Sequence, residues 1–283
     1  MNSLRRACLL LLVLCPAILI AQASPESGKF RLHKFEQAIG EENYTITPDG
    51  GSLNLKTDFK FTDRGSPVPL TATLRTSDSY VPQSFVISGN TSRMSKTDTE
   101  VTINGATATV RQGKDTRTVA VPQTFFTISG YAPVAIQMEM MRYWRSHGQP
   151  AQMMTLPIGA VRIQDRGSET VEVGGKPVKV ERYTVQGLIW GMEVLWMDGS
   201  NNLAALVSTD AEFDHFEAVR DEYESALSSF VASAAHDEMA LLTELSTSAA
   251  GRRTGTFAFV GATVIDVTGK APIPNATVVT SGG

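Results

Sequence analysis

The stretch SLNLKTDFKFT, residues 52–62, decides the fold class. Leu53, Leu55, Thr57, Phe59 and Phe61 fall on one side of an extended chain, and Asn54, Lys56, Asp58, Lys60 and Thr62 on the other. A two-residue alternation of this kind specifies a β-strand with one face on a core and one in water. Asp49-Gly50-Gly51 ahead of it is a turn, because glycine accepts the positive φ that tight turns need.

The same pattern runs from Lys29 to about Thr209. Asn104-Gly105, between Val101-Thr102-Ile103 and Ala106-Thr107-Ala108, is the strongest short-range hairpin signal. Gly174-Gly175 and Asp198-Gly199 repeat the device, so the region reads as a large antiparallel sheet. One strand departs from it. Leu188, Trp190, Met192, Val194 and Trp196 point one way, and Ile189, Leu195 and Met197 the other, so it is expected to be covered on both faces. The cover is a helix over about 132–147: Pro133 suits its first turn, Gly148 its C-terminal cap, and Val134, Met138, Met141 and Arg145 recur at helical spacing.

Residues 1–23 carry Arg5-Arg6, an apolar run from Ala7 to Ala21 and the small-x-small site Ala21-Gln22-Ala23, the pattern of a secretory signal peptide cleaved after Ala23. A periplasmic or secreted location follows as an expectation. No later stretch approaches the roughly 20 apolar residues of a membrane span. Cys8 and Cys15 both lie in the leader, so the processed chain holds no disulfide. The 283 residues carry 25 basic and 29 acidic side chains; without Arg5 and Arg6 the balance is 23 against 29, a net of −6, which argues against a nucleic-acid partner.

The expected fold is mainly β in an α+β arrangement. A large curved antiparallel sheet with its covering helix occupies 24–217, a helical segment 218–247, a small polar linker 248–256, and a short β-hairpin 257–283. The helical segment repeats Val219, Tyr223, Ala226, Phe230 and Ala234, then Met239, Leu242 and Leu245, as one long or two short helices.

The chain lacks a Gly-x-Ser-x-Gly elbow and a Gly-x4-Gly-Lys-Ser/Thr phosphate loop. His33, His147, His215 and His236 never form the close pairs of a metal site, and no residue is assigned a catalytic, cofactor-binding or metal role. Asp210, Glu212, Asp214, His215 and Glu217 lie along an extended segment and could converge on a divalent ion, but a solvated acidic edge leading into a helix is the reading preferred. Asn43, Asn90 and Asn275 begin glycosylation acceptor triplets that matter only in a eukaryotic secretory pathway. The remaining candidate is an apolar pocket at Trp190, Trp196, Met138 and Met141, to be weighed against plain core packing.

Two resemblances add to this reading. VGATVID at 260–266, with Gly269 and Pro272-Ile273-Pro274-Asn275-Ala276, resembles the opening hairpin of metal-dependent amidohydrolases of the imidazolonepropionase-like kind. That likeness implies a hydrolase of non-peptide C–N bonds whose metal-bearing barrel, zinc its expected ion, would lie beyond Gly283. The present chain would then be an inactive front portion partnered by that barrel. The sheet with its helix is similar in architecture to periplasmic lipoprotein carriers, which implies instead a carrier for a lipid or another apolar small molecule.

Overall fold

The computed structural model describes residues 24–210, 215–248 and 255–281. Residues 1–23, read from the sequence as a signal peptide, most of the expected linker, Glu212 and Asp214 lie outside the described residues. Fifteen strands form one sheet. Its first half is a meander of β1 (Glu26–Lys34), β2 (Gln37–Pro48), β3 (Ser52–Asp63), β4 (Ser66–Ser77), β5 (Pro82–Ser92), β6 (Ser95–Asn104), β7 (Thr107–Gln112) and β8 (Asp115–Ala120). After β9 (Phe125–Thr127) comes helix α1 (Val134–Ser146), and then β10 (Met153–Leu156), β11 (Ala160–Val173), β12 (Lys176–Gln186), β13 (Gly191–Met197), β14 (Leu203–Asp210) and β15 (His215–Arg220). The order across the sheet is β8-β7-β6-β5-β4-β3-β2-β1-β15-β14-β13-β12-β11-β10-β9. Every neighbouring pair is antiparallel except β9 with β10, which makes the sheet mixed.

The sheet curls around α1. Residues Val134 to Trp144 are all buried, as a helix surrounded by protein must be. One core joins Phe30 and Leu32 of β1, Leu55 and Phe59 of β3, Leu70 of β4, Ile87 of β5 and Leu195 of β13 to Ile136, Met138, Met141 and Trp144 of α1. Curling brings the first-half edge back toward the second, where Arg117 of β8 donates to the carbonyl of Pro157 after β10 at 3.2 Å. In β3 the inward Leu55, Thr57 and Phe59 are buried and the outward Lys56, Asp58 and Lys60 exposed, as the alternation requires.

The doubly covered strand is β13, from Met192 to Met197. Leu195 and Met197 join the α1 core, whereas Trp196 lies on the opposite face against Phe230, ring centroids 4.8 Å apart. That outer cover is a 3₁₀ turn (Asp221–Ala226) and the start of α2 (Leu227–Ser248). Two expectations need correction. Ala218–Arg220, assigned to the helical segment, end β15 instead, because Ala218 and Val219 pair in register with Leu206 and Ala205 of β14. Trp190, assigned to the strand with Trp196, lies outside it and is 80% exposed. The alternation fails at Gly187, where φ is +105° and a Cβ would stand 2.1 Å from the Ala160 carbonyl oxygen.

The chain divides into two compact units, 1–231 and 232–283. In the second, β16 (Thr256–Val264) and β17 (Ile273–Ser281) form an antiparallel hairpin with register shifts around Ala262, and Phe259, Val260 and Val279 are exposed.

Candidate functional site: the mouth of the curled sheet

Strand alternation fixes which hairpin turns share an end. Among the described residues, the turns after β1, β3, β5, β7 and β12, and the one between β10 and β11, lie at the end of the sheet where α1 begins. This end is open, with a cavity of about 520 Å³ lined by Ile39, Phe61, Tyr131, Ile189, Trp190, His215 and Phe216 among apolar and aromatic groups, and by Lys34, Thr62, Asp63, Thr91, Ser92 and Ser208. A recess of about 100 Å³ shares Thr91 and Tyr131 with it and reaches inward to Phe59 and Leu70. The rings are held by one another: Phe216 lies 5.1 Å from Tyr131 and 6.1 Å from Phe59, and His215 stacks on Phe35 at 5.5 Å.

Two buried carboxylates stand behind this wall. Glu42, at an inward position of β2, accepts from the backbone N–H of Val134 at 2.6 Å and of Ala135 at 2.9 Å, and from Thr57 Oγ1 at 2.6 Å. Pro133 offers α1 no side-chain cap, so Glu42 takes up the orphan donors of the helix start from across the core. Burial pushes its pKa up to about 7 against those three donors. Glu193 of β13 accepts from Gln137 Nε2 at 2.8 Å, and burial pushes its pKa up to about 8. Its Oε2 and Gln137 Oε1 have no hydrogen-bond partner among the described residues. Glu193 lies near the cavity: Ser208, opposite it in the register, lines the cavity, and Gln137 also donates to the carbonyl of Tyr131. The arrangement offers a cavity walled by rings, with Lys34, Thr62, Asp63, Thr91, Ser92 and Ser208 as the polar part of its lining.

Of the four residues proposed for an apolar pocket, only Trp190 lines this cavity. Met138 and Met141 are fully buried in the α1 core, and Trp196 lies on the far face of the sheet, so the four are not brought together. Of the acidic series, Glu217 is fully buried and its Oε1 lies 3.9 Å from Nδ1 of His215, two residues earlier on the same strand. His33 Nε2 stands 3.0 Å from Glu224 Oε1, His147 caps α1, and His236 is exposed. Among the described residues, no group of three or more His, Cys, Asp or Glu is placed to hold a metal ion. Sequence reading missed Phe61, Tyr131 and Phe216 as cavity walls, and Glu42 and Glu193 behind them. Glu193 left a signal, being a carboxylate inside a strand otherwise apolar on both faces.

A curled sheet closed on an internal helix, with a ligand-sized opening at one end, defines a β-barrel-like domain. Residues 30–220 match the domain of unknown function DUF6134, and the chain belongs to that family. This overturns the amidohydrolase resemblance and the metal dependence drawn from it. Nothing matched indicates an amidohydrolase, and alternating residues around a Gly- and Pro-rich turn specify a hairpin rather than an enzyme family. No curated protein matches the chain. Among solved structures, a β-barrel-like protein of domain of unknown function DUF1849 from Brucella abortus is similar, with 10% identity over 70% of this chain and 96% of that one and a TM-score of 0.47.

Proposed function

We propose that this chain is a binding protein of the exported compartment, whose sheet domain holds an apolar or ring-bearing small molecule in the mouth cavity without transforming it. The observation that carries the reading is the cavity: about 520 Å³, with Phe61, Tyr131, Trp190 and Phe216 on its walls. That volume lies within the range of small-molecule sites, and such sites combine apolar walls with a few placed polar groups. Ser208, Thr62, Thr91 and Ser92, with Lys34 and Asp63, would supply the polar part.

Titration of the purified chain with cis-parinaric acid and with 1-anilinonaphthalene-8-sulfonate tests it. Saturable binding is expected, and Phe61→Ala combined with Phe216→Ala is expected to weaken it by tenfold or more, about the value of one large apolar contact. Absence of saturable binding for both probes, or affinity unchanged in the double variant, overturns the reading.

A further inference from the structure

The end of the sheet away from the mouth holds a second cavity, of about 410 Å³, with no lining residue in common with the first. Its walls come from the start of β1, the adjoining ends of β2 and β3, the turns after β4 and β13, the C-terminal half of α1 and the end of β15. The order of strands divides this lining by chemistry. Ile46, Pro48, Leu53 and Tyr80 belong to strands and a turn on one side of β1, and they give the apolar part. Glu26, Arg142, Asn201, Asn202 and Arg220 belong to β1 itself, to α1 and to the strands and turn on its other side, and they give the polar part. Tyr80 has φ +65°, a conformation that turns normally give to glycine or asparagine, so this turn accepts backbone strain and keeps a ring there. Asn201 Oδ1 is buried without a hydrogen-bond partner among the described residues. The backbone of Asn201 is nevertheless engaged, its carbonyl accepting from Arg142 Nε at 2.9 Å and its N–H donating to the Asp198 carbonyl at 3.1 Å.

Charge selects the kind of ligand. In the lining itself two guanidiniums, Arg142 and Arg220, outnumber the one carboxylate, Glu26, which disfavours a cation. Behind the lining those guanidiniums are already matched. Arg142 donates to Glu139 at 2.7 Å and to Glu26 at 2.9 Å, and Arg220 stands 2.8 Å from Glu222 and 3.9 Å from Asp198. Asp78 adds a further acid in the Tyr80 turn, so an anion would meet as many carboxylates as bases or more. A neutral ligand remains, and the lining asks it for an apolar face and a polar edge. We propose that this cavity is a sugar-binding site, which takes the C–H face of a neutral pyranose against Tyr80, Pro48 and Leu53 and its hydroxyls at Glu26, Asn201, Asn202 and the two arginines. A hydroxyl is donor and acceptor at once, so it serves a carboxylate oxygen, an amide and a guanidinium alike, and it bonds the charged ones without breaking their ion pairs. The volume lies within the range of small-molecule sites. The site is separate from the mouth and stands whatever fills that cavity.

The test titrates the purified chain with D-glucose, D-galactose, D-mannose, N-acetylglucosamine and maltose near neutral pH, read by calorimetry and by saturation transfer from protein to sugar protons. Saturable binding of at least one of them below about 50 mM is expected. D-glucuronate and D-glucosamine, which put a negative and a positive charge on the glucose ring, should bind more weakly than the best neutral sugar. Tyr80→Asn removes the ring and suits the positive φ, and it should weaken binding by roughly tenfold, whereas Tyr80→Phe should keep it. Asn201→Gly keeps the backbone and its bond to Arg142 but removes the amide, and it should weaken binding by roughly fivefold. Unchanged circular dichroism and melting temperature establish that the variants fold. Phe61→Ala with Phe216→Ala should leave sugar binding intact while weakening the apolar probes, so the two cavities fail or stand separately. Absence of saturable binding for all five neutral sugars, affinity unchanged when Tyr80→Asn and Asn201→Gly are combined, or tighter binding of either charged sugar overturns the proposal.

Discussion

Helix α1 is held at its two ends in different ways. At its C-terminal end Arg142 donates to Glu139 at 2.7 Å, to Glu26 at 2.9 Å, to the Asn201 carbonyl at 2.9 Å and to Asn202 Oδ1. Charge is matched there, and the neighbouring turns are polar. At its N-terminal end the helix rests on Glu42, and Glu193 one turn inward leaves an oxygen without a partner among the described residues. Four turns around that end carry exposed apolar side chains: Phe35, Met94, Ile158 and Trp190. One end therefore secures the fold through an ion-paired cluster, although Asn201 Oδ1 and Thr76 Oγ1 there also lack partners among the described residues, and the other sets Glu193 Oε2 and water-facing apolar side chains around the opening.

The largest test of this contrast removes the anchor at the closed end. Arg142→Ala should cost about 3–5 kcal/mol, because Glu139, 1% exposed, would remain as a buried charge without its partner. Urea unfolding would show it, and a loss below about 1 kcal/mol would mean that the network adds little to the fold. The two tryptophans that the alternation assigns to one strand sharpen the same contrast. Trp196 is fully buried, packs on Phe230 and donates to Glu169 at 2.6 Å, so Trp196→Ala should cost about 3–5 kcal/mol. Trp190→Ala at the rim should change stability by less than about 0.5 kcal/mol. Equal losses at both positions would mean that the rim is packed rather than open.

The sheet is legible in the sequence because each strand is written in a period of two and each turn in Gly, Asp or Asn. Helix α1 is legible from Pro133, Gly148 and the spacing between them. Its setting is only half legible, since a covering helix and a helix enclosed by a curling sheet bury the same Val, Met and Trp residues. The cavity is not legible. Phe61, Tyr131 and Phe216 come from strands and a loop far apart in sequence, and only the curl of the sheet brings them together. Trp190 misleads because an apolar strand passing through a glycine pair looks continuous until the close approach of Gly187 to the Ala160 carbonyl ends it. The terminal hairpin misleads in another way: its residues determine a local shape, and many families share that shape.

A further expected effect comes from pH and falls most heavily on the mouth end. Glu193 and Glu42 titrate in the folded chain near 8 and near 7, above the ordinary glutamate value of 4.5, because burial disfavours their charged forms. Between pH 4.5 and those values the folded chain holds protons that the unfolded chain has released. Stability therefore falls as pH rises through that window. Burial raises Glu139 and Glu217 as well, which adds in the same direction. The carboxylates lowered by exposed partners, Glu41, Asp49, Asp98 and Asp221, act with the opposite sign, but below pH 4.5. Glu193→Gln keeps the shape of the side chain and removes its titration. Relative to the unaltered chain it should be nearly neutral at pH 5 and stabilising by about 1–3 kcal/mol at pH 9, since displacing a pKa by a single pH unit corresponds to about 1.4 kcal/mol. Melting temperatures of the two proteins from pH 5 to pH 9 would read this directly. Parallel curves would mean that Glu193 is already satisfied when charged, and that the mouth of the sheet is as well matched as its closed end.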